Sequence, residues 1–379
     1  MKLCLHQRIL DAIPSPSGRG PTSVLARGVR GLRGRMLSYS VLLVALRCLL
    51  APFFCAIFVA SSSARAEDAV SVAELSPAAE MAIEKGLHFL ANTQNPDGSW
   101  GSQYPMADTS ASLMAFMLKG NFPKRGKYGA ILEKATIYLI KRGVEGKGFL
   151  GGQQMGMYEH GLGTLALSEV WGESDHRKEI RDVLKMAVDV TLRAQNGEGG
   201  WRYGPQPNDA DISVTVMQVV ALTSAKEAGI LVPDQVLQKA VQYVKRCQTT
   251  NGGGFAYQPG GAPGFARTAA GVMSLMMSGQ KGSQSVARGL EYLTKYNEGK
   301  FREVEYYNYA HYYAIQCMYQ AGDALYQPWY ARVRDALLAR EKPDGGWPAG
   351  NSGGSAQLST ALSILVLGVP YRFLPIYQR

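Results

Sequence analysis

The sequence predicts an all-α protein built from six helix pairs, and three observations carry that prediction. An aromatic residue closely following glycine recurs six times, at Trp100, Phe149, Trp201, Phe255, Phe301 and Trp347, at intervals of 49, 52, 54, 46 and 46 residues. A helical stretch with one apolar and one charged face precedes each of these loops. A second, more uniformly apolar stretch follows it. A unit of roughly 50 residues suits a helix pair with its connections. Twelve helices, alternately half-solvated and greasy, point to two concentric rings rather than an open solenoid, and periodicity alone leaves closure of the ring open.

The six charged stretches come in order as PAAEMAIEKGLHFLANTQ, YGAILEKATIYLIKRG, HRKEIRDVLKMAVDVTLRAQ, PDQVLQKAVQYVKRCQ, SQSVARGLEYLTKY and QPWYARVRDALLARE. Their apolar residues recur at three and four, with Lys, Arg and Glu between them, so one face is solvated. The six apolar stretches are DTSASLMAFMLKG, MYEHGLGTLALSEVWG, DISVTVMQVVALTSAKEAG, FARTAAGVMSLMMSG, YYNYAHYYAIQCMYQAG and SAQLSTALSILVLG, which belong inside. Asp, Ser or Thr at several of their starts fits N-caps, and Gly at their ends fits C-caps.

Charge is concentrated at the amino terminus. Of 40 Lys and Arg and 30 Asp and Glu, nine and one lie in residues 1–66, so without them the formal charge falls from +10 to about +2. The basic balance belongs to that segment and implies no nucleic-acid partner. An Arg-rich stretch, an apolar run from Val41 to Ala60 and an A-x-A pattern at Ala64 and Ala66 predict a signal peptide over residues 1–66. Its charged region is long, and Met36 would be a more ordinary start. Export to the periplasm or outside the cell follows, the alternative being an uncleaved membrane anchor, although Arg47 and Pro52 interrupt the run. Residues 67–74 then form a linker, 75–370 the helical rings and 371–379 a tail. Only Cys247 and Cys317 lie beyond the leader, too few for a disulfide framework.

The loops carry a Q-x-x-x-G-x-W pattern, intact at Gln94–Trp100 and Gln195–Trp201 and degenerate elsewhere, with Glu341 in place of Gln before Gly345 and Trp347. This resembles the repeat of squalene-hopene cyclases, whose helix-pair ring is shared by protein prenyltransferase β-subunits. The resemblance implies an α/α-toroid of six helix pairs over essentially all of residues 75–370, its inner helices opening by their amino ends onto a central cavity. Gln, Gly and Trp then have a structural part, the glycine permitting the turn and the indole packing across it.

Function must be argued from the cavity mouth. The starts of the inner helices place Asp108, Tyr158, Glu159, His160, Asp209, Asp211, Arg267, Tyr306, Tyr307, His311 and Gln357 there as candidate lining groups. Asp209 and Asp211 resemble the D-x-D-D motif from which the cyclases protonate an alkene, which would make Asp211 the general acid and Asp209 its neighbour, but Ile212 stands where that motif has Asp. Asp211 before Ile-Ser-Val-Thr also has the character of an N-cap, as does Asp108 before Thr-Ser-Ala-Ser; the cap is the first expectation and the acid the second. The Tyr-rich stretch 306–319 could stabilise a carbocation or simply pack between the rings, and packing is the first expectation. No cofactor is implied, and zinc is not, because the opening that carries a Cys ligand in the prenyltransferases is Gly-Phe-Ala-Arg267-Thr268 here.

Two functions are expected in order. The first is an exported toroid that binds a hydrophobic, isoprenoid-like or extended ligand; the second is a proton-initiated polyprene cyclase acting through Asp211. Paired carboxylates of a glycan hydrolase, Glu159 with Asp211, are set aside because such folds are not expected to carry this repeat.

Overall fold

The computed structural model describes residues 75–152, 156–296, 301–350 and 354–372. The leader and linker readings, and all of the tail beyond residue 372, lie outside the described residues. No helix among the described residues is long and apolar enough to cross a membrane.

Among the described residues, twelve α-helices appear in outer–inner alternation. The outer ones are α1 (Pro77–Asn92), α3 (Gly129–Glu145), α5 (Arg177–Ala194), α7 (Asp234–Cys247), α9 (Gln284–Thr294) and α11 (Asp323–Leu338). The inner ones are α2 (Pro105–Met117), α4 (Gly156–Val170), α6 (Ile212–Glu227), α8 (Phe265–Leu275), α10 (Tyr307–Ala321) and α12 (Ala356–Leu367). Apolar composition decides which ring a helix joins. In α5, Ile180, Val183, Leu184 and Ala187 are buried along one stripe, whereas almost every residue of α2, α4 and α12 is buried.

Each inner helix packs on the inner helices before and after it, and α12 packs on α2 and α1, so the ring closes. The sequence left that closure open. Its physical basis is a stitch repeated around the ring. Gln94 Nε2 donates to Gly98 O at 3.0 Å and to Ile131 O of the next outer helix at 3.0 Å. Gln195 repeats this with Gly199 and Val236, both at 2.9 Å, and Gln248 with Gly253 at 2.8 Å and Ser285 at 2.9 Å. Trp100, Trp201 and Trp347 donate their indole N–H to Leu90, Thr191 and Leu337 at 2.7, 2.8 and 2.9 Å, each ten residues back.

The glycine two residues before each buried plug is obligatory. Gly98, Gly148, Gly199, Gly253 and Gly345 all have positive φ, between 74° and 94°. An added Cβ would meet backbone of the following outer helix, as with Lys134 O at 2.5 Å from Gly98. At Gly345 that carbonyl belongs to Lys85, so the sixth loop is seated on the first outer helix. Glu341 cannot donate as Gln does, and instead pairs with Lys85 Nζ at 3.2 Å. The same glycine register corrects one expected alignment: after Gly148 the buried plug is Leu150, one residue beyond Phe149.

Candidate active site

A second stitch fixes where each inner helix begins. The backbone N–H of the plug residue donates to a side chain in the first turn or so of the inner helix: Trp100 to Thr109 Oγ1, Trp201 to Thr215, Phe255 to Thr268 and Trp347 to Thr360, at 2.9–3.2 Å. In the second unit the acceptor is His160, whose Nδ1 receives Leu150 N–H at 3.1 Å. Its Nε2 faces Thr191 Oγ1 at 2.9 Å. His160 is therefore a repeat residue, fully buried behind the cup, not a lining group as expected, and burial pushes it down to about 4.

His311 and Tyr307 are corrected in the same way. The His311 ring is buried among Tyr307, Phe301 and Phe265, with centroids 4.4, 4.5 and 5.3 Å away, and burial lowers its pKa to about 3. Tyr307 is nearly buried, with the Arg340 guanidinium 4.1 Å from its ring centroid. Arg267 and Gln357 are half-buried near the starts of α8 and α12, and Arg267 reaches Glu305 at 3.9 Å.

The stitch also separates Asp108 from Asp211. Counting back from Thr109, His160 and Thr215, Asp211 shares its repeat position with Pro105 and Gly156, while Asp108 and Glu159 together occupy a position three residues later. Asp211 caps α6: its Oδ1 accepts from Ser213 N–H at 2.8 Å and Val214 N–H at 2.9 Å. Asp108 is no cap, contrary to expectation. It lies in the first turn of α2, whose N-cap Tyr104 offers no side-chain bond.

The missing cap comes from the neighbouring inner helix. Glu159 Oε1 accepts from Met106 N–H at 3.3 Å and its Oε2 from Gly152 N–H at 2.7 Å. Asp108 Oδ1 in turn accepts from Ser355 Oγ at 2.8 Å, and Ser355 caps α12 through Leu358 N–H at 2.8 Å. Asp108 Oδ2 has no hydrogen-bond partner. It lies against Gly101, which has φ +70° and no Cβ to collide with it. Burial, reinforced by the charge of Glu159 and opposed by Ser355, lifts Asp108 from an ordinary 3.8 to about 7. Burial also raises Glu159, but its backbone donors restrain it.

At the start of α6, the neighbour of α4 in the inner ring, sequence reasoning missed Arg202, although it directly follows Trp201. Its Nη1 bonds Asp209 Oδ2 at 2.5 Å and its Nε lies 3.3 Å from Asp211 Oδ2, so one guanidinium bridges both aspartates. Asp209 is exposed at the rim and also receives Gln258 Nε2 at 3.1 Å. Burial raises Asp211 to about 6 against the Val214 amide, the Tyr257 hydroxyl and Arg202. Ile212, at the fourth position of the motif, is buried in the packing between α6 and α8, its Cδ1 at Gly271. Tyrosines cross the lumen: Tyr309 Oη reaches Ser213 O at 3.3 Å and Tyr313 Oη reaches Met217 Sδ at 2.9 Å, so α10 packs across the ring onto α6. Tyr158, half-buried, stacks on Tyr203 at 6.0 Å between centroids. Cys247 and Cys317 are separate buried thiols, and no group of three or more His, Cys, Asp or Glu among the described residues is placed to hold a metal.

This closed ring of helix pairs is an α/α-toroid. Residues 138–302 match the family model of the prenyltransferase alpha-alpha toroid domain. No curated protein matches the chain by sequence. Among solved structures it is similar to an α-1,6-mannanase of Salegentibacter sp. HEL1_6 bound to α-1,6-mannotetrose, at TM-score 0.59 and 10% identity over 78% of this chain and 100% of that one. It is also similar to a structure titled as a wild-type glycosidase, at TM-score 0.55 and 11% identity over 79% and 98% of the chains. A type II terpene cyclase from Scytonema matches at TM-score 0.50 and 14% identity over 78% and 98%.

These matches correct the expected function. The toroid is shared with glycosidases as well as with a terpene cyclase, so the reason for setting glycan hydrolysis aside falls. Binding of an isoprenoid-like ligand and polyprene cyclisation by Asp211 are both displaced. Asp211 spends one oxygen on helix amides and turns the other towards a guanidinium, contacts that favour the carboxylate and offset only part of the burial that raises it.

Proposed function

We propose that the protein is a glycan-cleaving enzyme of the glycoside-hydrolase type, with Asp108 as the proton donor and Glu159 as its charged partner. The observation that carries this reading is the coupled carboxylate pair where α2 and α4 begin, in which Asp108 is lifted to about 7 beside Glu159. Glycoside hydrolysis needs two carboxyl groups whose surroundings push their affinities for a proton apart, one protonated near neutrality to assist the leaving oxygen and one charged. Asp108 Oδ2 is buried against Gly101 without a hydrogen-bond partner, while Glu159 is held by two backbone amides.

The similarity to an α-1,6-mannanase makes α-1,6-linked mannan the first substrate to test. Incubating the purified protein with α-1,6-mannan and a panel of α- and β-linked glucans, mannans and xylans, and assaying new reducing ends, should reveal turnover of at least one polymer. Failure to release reducing ends from any of them overturns the reading. Export, expected from the leader, is consistent with a polymeric substrate outside the cell and forms part of the proposal.

A further inference from the structure

Asp108 is 1% exposed, so its carboxyl does not itself face a polymer in the cup. Oδ2 is shut in against Gly101 and has no hydrogen-bond partner to receive a proton. Oδ1 meets the Ser355 hydroxyl at 2.8 Å, across the seam where the last inner helix, α12, packs on the first, α2. Ser355 is the more open of the two residues, half-buried at the start of α12. The hydrogen-bonded way out of the Asp108 carboxyl therefore runs through Ser355.

The serine has the valences for that task. Its Oγ accepts from Leu358 N–H at 2.8 Å and so caps α12. Capping uses a lone pair alone, as it does at Ser76 and Ser283, which cap α1 and α9 through the same kind of bond. A hydroxyl accepts twice and donates once. Ser355 can thus take a proton from Asp108 and give up its own while the cap stays in place.

We propose that Ser355 is a catalytic residue of the glycan-cleaving site, relaying the proton of the buried Asp108 to the leaving oxygen of the substrate. In the resting protein Ser355 donates to Oδ1. With a glycosidic oxygen beside it, the serine O–H turns to that oxygen and Oγ accepts from the protonated Oδ1, a separation of 2.8 Å suiting an O–H···O bond in either direction. The bond from the anomeric carbon to the glycosidic oxygen then breaks, and its electron pair stays with the oxygen. That oxygen takes the serine proton while Oγ takes the proton of Asp108, so the serine ends neutral and Asp108 ends as a carboxylate. Water adds to the anomeric carbon and releases its proton to solvent, from which Asp108 is recharged through the same hydroxyl.

This inference rests on the glycan-cleaving reading, and the experiment separates the two. Thr and Asn both serve as helix caps, but only Thr keeps a hydroxyl to relay through. Wild type, Ser355→Thr and Ser355→Asn are compared for Tm, for hydrolysis of whichever polymer of the panel is cleaved, and for hydrolysis of a dinitrophenyl glycoside of the same sugar, whose leaving group departs without a proton. On the polymer, Ser355→Asn should lose at least about 100-fold in kcat with KM within about twofold, and Ser355→Thr should stay within about tenfold of wild type. On the dinitrophenyl glycoside, Ser355→Asn should stay within about fivefold of wild type, and its Tm should change little. Should Ser355→Asn fail to fold, Ser355→Gly, another tolerated cap without a hydroxyl, takes its place. Polymer cleavage by Ser355→Asn near the wild-type rate, or equal losses on both substrates, overturns the relay and leaves the hydrolase standing. Cleavage of neither substrate by wild type removes both.

Discussion

Asp108 and Asp211 look alike in sequence, each an aspartate ahead of Thr or Ser at the start of an inner helix, and their surroundings differ in nearly every respect. Asp211 is a cap whose Oδ1 accepts from two amides and whose Oδ2, also without a hydrogen bond, lies within ion-pair reach of a guanidinium. Asp108 sits three residues further along the repeat, beside another carboxylate, with one oxygen unpartnered. Loop length makes the difference. The stitch from plug to inner helix spans 9 and 10 residues in the first two units but 14, 13 and 13 in the third, fourth and sixth. A short loop starts α2 without a capping side chain of its own, and Glu159 of the next inner helix supplies one.

The largest effect on stability is expected at Gly101, which makes room for the Asp108 carboxylate. Gly101→Ala adds a Cβ where Asp108 Oδ2 now lies and strains a φ of +70°, so it should cost about 3 kcal/mol in urea unfolding. A loss under about 0.5 kcal/mol would mean that Asp108 is free to move.

A smaller effect, with a definite sign, comes from pH. The folded pKa of Asp108, about 7, lies above its unfolded 3.8, so the native state holds the proton more tightly. The resulting stability is present in full below about pH 4 and is lost as pH rises through about 7. Asp211, raised to about 6, acts in the same direction. His160 and His311, lowered to about 4 and 3, oppose both by destabilising the fold as pH falls below the usual histidine range. Subtracting the Tm–pH curve of Asp108→Asn from that of wild type isolates the Asp108 contribution. A flat difference between pH 4 and 7 would contradict the raised pKa.

The smallest effect is the cap itself. Asp211→Asn keeps an oxygen for the helix amides but loses its charge beside Arg202, and should cost about 1 kcal/mol. Asp108→Asn preserves the acceptor for Ser355 and should be close to neutral at pH 7. If the order of these two substitutions in chemical denaturation were reversed, the cap would have been assigned to the wrong aspartate.

Much of the fold was legible because repetition makes each weak signal count six times: glycine before an aromatic residue, a half-charged helix, then an apolar one. Closure was not, since the last loop has Glu341 where the stitch uses Gln, and its replacement partner, Lys85, is distant in sequence. The register slipped at Phe149 because an aromatic residue sits one place before the true plug, Leu150. Of the site, the acids were found by residue type, yet their roles were mixed because helix starts depend on loop length. His160 and His311 looked like lining groups because nothing in the sequence shows that His160 takes the place of Thr in the stitch or that His311 is buried among aromatic rings. Arg202 had a local signal, a cation immediately after the buried Trp201, but its bridging of two aspartates depends on the turn that follows.

The central claim is that Asp108, and not Asp211, gives the proton. It is tested most directly by the rate of α-1,6-mannan cleavage by Asp108→Asn and Asp211→Asn, each shown to be folded. The account predicts a loss of at least about 100-fold in kcat for Asp108→Asn and less than about tenfold for Asp211→Asn. Wild-type turnover by Asp108→Asn, or a greater loss from Asp211→Asn, would contradict it.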